Sequence, residues 1–107
     1  MKSIVNEVAC KLRDSLFTQM DDFQGLYVFG SQISGEATDR SDIDIVVLFN
    51  QDYFRLPDAL FEILFELGIE YYDLIDLDVH TETLNSLKLN PFLYDEVVNK
   101  GVFYGAV

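Results

Sequence analysis

Apolar residues recur three and four apart at the start of the chain. Ile4, Val5, Val8, Leu12 and Leu16 share one helical face, which predicts an amphipathic helix over residues 2–18. Leu26-Tyr27-Val28-Phe29 is a short apolar run closed by Gly30, the pattern of a buried strand. Residues 31–36 predict one or two helical turns ended by Gly35, and Thr38 to Ser41 is polar and turn-like. The period then changes to two. Asp42, Asp44, Val46 and Leu48 take one face of a strand from Asp42 to Phe49, while Ile43, Ile45, Val47 and Phe49 take the other. Beyond the aspartates both faces are apolar, so this strand is central.

Helical spacing returns at Leu60, Ile63, Leu64 and Leu67. It predicts a helix from Pro57 to Leu67 with Gly68 as its C-cap. Ile69 to Val79 is rich in β-formers and predicts a third strand. Asn90-Pro91 is an N-cap followed by an N1 proline, opening a last helix to about Lys100, where Gly101 ends it. Val102-Phe103-Tyr104 suits an edge strand. The order is that of an α/β fold, a small mixed β-sheet flanked by helices. It fits one domain over residues 1–107, with an N-terminal helix over 1–20 and a core over 25–104.

Composition narrows the function classes. Half of the 107 residues are hydrophobic, enough for a real core, and no apolar run approaches the length of a membrane span. One cysteine permits no internal disulfide, which points to the cytoplasm. The net charge of −12 argues against a nucleic acid held through its phosphates, which needs a basic surface. It favours a macromolecular partner that is neutral or basic at the contact.

The candidate chemistry lies between residues 30 and 44. Two aspartates two apart on a strand point to one side, and strands ordinarily avoid this. A divalent cation offsets their repulsion. Ten residues upstream, Gly30-Ser31 offers close backbone approach, a hydroxyl and the first amides of a helical turn. Together these describe a metal-dependent site for a nucleoside triphosphate. Gly30 alone would also suit a tight turn, and Ser31 alone an N-cap.

Gly30-Ser31, ten residues, then Asp42-x-Asp44 resembles the signature of nucleotidyltransferases with a DNA polymerase β-like palm. The short length and the segment Asp73-Leu74-Ile75-Asp76-Leu77 are similar to the minimal nucleotidyltransferase (MNT) group. The resemblance covers roughly residues 20–104. It implies that Asp42 and Asp44 hold two Mg²⁺ ions, with Mn²⁺ as a substitute, and that Gly30 and Ser31 bind the triphosphate of ATP. It places a third catalytic and metal-binding carboxylate at Asp73. Asp76, of opposite strand parity, is the alternative, and Asp78 shares the face of Asp76; both also read as a solvated strand end. Members of this group, the MntA-type antitoxins, pair with a HEPN-domain toxin, so the implied reaction is AMP transfer from ATP to a hydroxyl, a tyrosine of that partner. The implied assembly is a homodimer or a hetero-oligomer with the toxin. The turn arginine common in the group is absent from Gly30-Ser31-Gln32-Ile33-Ser34-Gly35, leaving Arg40 or a partner to supply the cation.

Two other functions compete. One is a binding-only antitoxin with a vestigial site, and the other is a small-molecule transferase of the aminoglycoside type. The remaining chemistry-bearing residues point to packing. His80 reads as a surface or capping residue and Cys10 as a boundary packing residue. Tyr71, Tyr72, Tyr94 and Tyr104 suit core and interface packing. Phe61 and Phe65 make the Pro57–Leu67 helix apolar around much of its circumference, which suits a fully buried helix or a protein interface.

Overall fold

The computed structural model describes residues 1–37 and 42–106. The predicted turn from Thr38 to Ser41, Arg40 included, lies outside the described residues. The chain runs through α1 (Ser3–Gln19), β1 (Phe23–Phe29), a single-turn α2 (Ser31–Ser34), β2 (Ile43–Phe49), α3 (Asp58–Glu70) and β3 (Leu77–Glu82). Short helices α4 (Leu84–Lys88) and α5 (Pro91–Tyr94) follow, then a π-helical turn (Asp95–Asn99) and β4 (Val102–Tyr104). The strands form one sheet in the order β3-β2-β1-β4. β1 pairs antiparallel with β2 and β4, and β2 pairs parallel with β3. This is the mixed α/β sheet that the periodicity implies.

The two sheet faces carry different layers. Ile43, Ile45, Val47 and Phe49 of β2 join Leu26 and Val28 of β1 under Val5, Val8, Leu12 and Leu16 of α1 and Leu60, Ile63 and Leu67 of α3. On the opposite face Val46 and Leu48 form a smaller buried cluster with Leu87 and Val97, with Tyr27, Phe29, Leu93, Tyr94 and Val98 at its margin. The alternation read from β2 is thus the alternation of the fold. The second layer is small and stops before the start of β2. Hydrophobic burial therefore anchors β2 from Val46 onward on both faces and leaves Asp44 on the bare part of one.

Three segments differ from the sequence reading. First, Ile69 to Asp76 is not strand. The helix continues through Gly68 to Glu70, because Leu60, Ile63, Leu67 and Tyr71 keep helical spacing and all four are buried. The Tyr71 hydroxyl donates to Glu7, and Lys11 pairs with Glu70, so α1 holds the end of α3. The β-formers Ile69 and Tyr72 sit on its exposed side. Second, the third strand starts at Leu77, where strict alternation begins. Leu77 and Val79 pack on the main core, and Asp78 and His80 are exposed. Third, Thr83 and Ser86 close a reciprocal capping box that opens α4, and the last predicted helix is split into α5 and the π-helical turn. Phe61 and Phe65 are 60% and 62% exposed, so the apolar surplus of α3 faces outward and is not buried.

Gly68 tests the corrected boundary. A Cβ built there meets nothing within 4 Å. Gly68→Ala is expected to stabilise the protein by about 1 kcal/mol, as for a glycine inside an exposed helix. Chemical denaturation of both proteins measures this; a loss of stability would restore Gly68 as a helix terminus.

Candidate active site

β1, β2 and β3 each bring one element to the same end of the sheet. β1 ends at Phe29, whose register partner is Asp44. The next residue, Gly30, has φ 79° and turns the chain into α2, where the amides of Ile33 and Ser34 donate to its carbonyl at 3.0 and 3.1 Å. Only glycine fits for two reasons. The positive φ disfavours a side chain, and a Cβ would overlap the Asp44 carboxylate. The Gly30-Ser31 turn is therefore pressed directly against Asp44. Asp42 precedes β2 and is exposed.

The parallel pairing sets a further carboxylate beside Asp44. Asp44 lies opposite Asp78, and one step further Val46 lies opposite His80. His80 Nε2 is 3.3 Å from Asp78 Oδ1. Burial pushes the Asp44 carboxyl above its ordinary value, and the neighbouring charges of Asp78 and Asp42 push it further; His80 opposes them. Asp76 enters through its backbone, its carbonyl accepting the Ile43 amide at 2.8 Å where the β2–β3 pairing starts.

Asp73 lies elsewhere. It occupies the turn after α3 with φ 62°, a left-handed conformation that aspartate tolerates better than most residues. Its face cannot be read by strand parity, because the strand starts four residues later. A groove of about 600 Å³ between α3 and β3 has Asp73, Asp76 and Asp78 in its wall, but of these only Asp78 sits in register with Asp44. Asp78 and His80, read from sequence as a solvated strand end and a surface or capping residue, are the residues that the register brings opposite Asp44 and Val46. The signal was present in the alternation Leu77-Asp78-Val79-His80, but it was hidden by assigning strand to the end of α3.

The donor set suits a hard divalent cation. Asp42, Asp44 and Asp78 offer only carboxylate oxygens, and the Asp44 carboxylate lies against Gly30. Among the described residues no group of three carboxylate, thiolate or imidazole side chains is placed to hold a metal ion by itself.

A family model for polymerase β-type nucleotidyltransferases matches residues 11–104. A protein of Methanocaldococcus jannaschii, a candidate protein adenylyltransferase, is 27% identical over 101 residues, spanning 94% of this chain and 90% of the other. Among solved structures, a toxin–antitoxin complex with AMP-PNP aligns at TM-score 0.61 and 28% identity, covering 90% of this chain and 72% of that one. The MntA–HpeT toxin–antitoxin pair, in a form with two aspartates two residues apart changed to glutamate, aligns at TM-score 0.60 and 26% identity. It covers 95% of this chain and 73% of that one. A Sulfolobus solfataricus structure at 19% identity and TM-score 0.57 shares the fold.

The raised Asp44 carboxyl makes a stability prediction for the metal-free protein. Its folded-state pKa exceeds the unfolded value of 3.8, so its protonated form favours folding below that value and this contribution is lost as pH rises through the folded pKa. At pH 7 Asp44→Asn should melt at or slightly above the wild-type temperature in EDTA, and the gap should close as pH falls below about 4. Melts across pH decide it. A large drop in melting temperature at pH 7 would mean that Asp44 is a structural residue.

Proposed function

The chain belongs to the polymerase β-type nucleotidyltransferases, and from that premise we propose that it is a metal-dependent protein adenylyltransferase. In this reading it transfers AMP from ATP to a tyrosine hydroxyl of a HEPN-domain toxin and so acts as its antitoxin in the cytoplasm. The observation that carries the reading is the convergence at one sheet end of the Gly30 turn, Asp44 and Asp78. The relatives support the chemistry and the partner: one is a candidate protein adenylyltransferase, and two are antitoxins solved with their toxins.

The residues divide the work. The Gly30-Ser31 turn binds phosphate oxygens through backbone amides and the Ser31 hydroxyl. Asp42, Asp44 and Asp78 would hold Mg²⁺, which when bound neutralises the triphosphate and makes an attacking hydroxyl more acidic. The acceptor oxygen attacks the α-phosphorus in line. The bond from that phosphorus to the oxygen bridging the β-phosphate breaks, pyrophosphate leaves with the electron pair, and the hydroxyl proton passes to solvent. Positioning and charge compensation supply the catalysis, and both come from groups held by three paired strands.

The acceptor comes from outside. The exposed Phe61 and Phe65 on α3, flanked by Glu62 and Glu66, suit contact with a partner whose surface is apolar and basic. A toxin that cleaves RNA is expected to be basic, so the acidity of this chain would favour the encounter. The assembly is then a hetero-oligomer.

Intact-mass spectrometry of the purified toxin tests the proposal. With ATP and Mg²⁺ the toxin should gain one or more AMP units, and EDTA should abolish the gain. Asp44→Asn and Asp78→Asn should each slow transfer by about a hundredfold or more, the scale of losing a group that stabilises transition-state charge. Asp73→Asn should stay within about twofold, as for a surface change away from the chemistry. If Asp73→Asn fails and Asp78→Asn does not, the third carboxylate is Asp73. Should wild type and Asp44→Asn neutralise the toxin equally with no mass change, the protein is a binding-only antitoxin.

A further inference from the structure

The carboxylate cluster and a triphosphate are both anionic, and the chain as a whole carries −12. Lys100 is a lysine that the fold sets beside the Gly30 turn. It lines a cavity of about 320 Å³ with Gly30, Ile33, Ser34 and Glu96. Its position is fixed by backbone on both sides. Before it, the π-helical turn packs Val97 on the same sheet face as Val46 and Leu48, the face that carries Asp44. The Lys100 amide donates to the Asp95 carbonyl at 3.1 Å, an i to i+5 bond. After it, Gly101 brings the chain so close to β1 that a Cβ would collide with the carbonyls of Val97 and Val28. Val102 then pairs with Val28, two residues before Gly30. Gly30 is therefore a shared wall, with the Asp44 carboxylate against it and the Lys100 cavity also opening on it.

We propose that Lys100 is the cation for the terminal phosphates of a nucleotide held at the Gly30 turn, reaching them through this cavity; the proposal rests on the nucleotidyltransferase reading above. The Lys100 ammonium now sits 3.0 Å from Glu96 Oε1 and 3.4 Å from Asp95 Oδ2, and its side chain is 61% exposed. Such surface pairs are weak and exchange readily. A polyphosphate end carries more charge than either carboxylate and accepts several hydrogen bonds, so it competes well for the same ammonium. Glu96 competes with the phosphates for Lys100: it holds the ammonium in the free protein and repels the phosphates as a like charge. The β- and γ-phosphates leave as pyrophosphate in the transfer, so Lys100 holds the leaving group and not the AMP moiety.

Four proteins and three ligands test this by calorimetry in Mg²⁺. Lys100→Gln should weaken ATP and pyrophosphate about tenfold, the loss of one charge-assisted hydrogen bond, and leave AMP within about twofold. Lys100→Arg should restore ATP. Glu96→Gln should tighten ATP and pyrophosphate, opposite in sign to Lys100→Gln. Thermal melts run beside the titrations identify any variant that fails to fold. If Lys100→Gln lowers AMP and ATP affinity equally, or leaves ATP unchanged, the role given to Lys100 is wrong. If Glu96→Gln and Lys100→Gln move ATP in the same direction, their pair is structural and the proposal fails. Wild type that binds ATP but transfers nothing overturns the adenylyltransferase reading alone; wild type that binds no ATP overturns both.

Discussion

Two carboxylates held side by side across a parallel strand pair are the constraint on which the site depends. Asp44 and Asp78 occupy one register position, where like charges disfavour the pairing. The pairing survives because its neighbours are apolar. Ile43, Ile45 and Val47 are buried under α1 and α3, and Leu77 and Val79 pack against the same core from the adjoining strand. Burial on that face fixes the register, and a slip by one residue would turn Leu77 and Val79 to solvent. The carboxylates on the opposite face inherit a spacing they would not choose. On the proposed function, a bound cation would release this repulsion, so the packing that stabilises the domain would also prepare the site.

The bare half of the second sheet face matters equally. Leu87 and Val97 cover Val46 and Leu48, and the layer ends there. A longer covering helix would bury Asp44 and leave a charge without solvent or metal. A layer absent altogether would leave Val46 and Leu48 exposed. The short α4, α5 and π-helical turn fall between these limits. The partial burial of Asp44 raises its carboxyl without removing it from reach of a ligand. Gly30 completes the arrangement, because its missing side chain lets the Asp44 carboxylate pack against the turn.

Sequence carried the centre of this arrangement and lost its edges, for physical reasons. β2 was legible because the alternation of Asp42-Ile43-Asp44-Ile45 leads into the short apolar run Val46–Phe49, the pattern of a strand buried on both faces. The turn at Gly30-Ser31 was legible because glycine and serine have few alternative uses there. The strand expected from Ile69 was misplaced because Ile69, Tyr71 and Tyr72 are β-formers individually. Tertiary packing of Tyr71 beside Glu7 and Lys11 outweighed those preferences and carried α3 on to Glu70. With a turn over residues 71–74, Asp73 is a turn residue and Asp78 is the carboxylate in register with Asp44. Lys100 could not be placed from sequence at all. Its position depends on a π-helical turn and on the approach of Gly101 to β1, and neither has a local sequence pattern.

Acidity connects the parts. A chain at −12 cannot draw a triphosphate by its overall field, so every favourable contact with one has to be local. Backbone amides at the Gly30 turn carry no net charge, and a divalent ion brings charge that the protein need not encode. Lys100 is lent by a pair of surface carboxylates that release it at small cost. On the proposed function, this arrangement would make nucleotide affinity depend on cations, while the rest of the surface stays repulsive to polyanions. The acidity that would weaken the free protein's hold on nucleotide would then strengthen its attraction to a basic acceptor. An enzyme built this way would gain selectivity for its partner through the same charge that limits its binding of ATP.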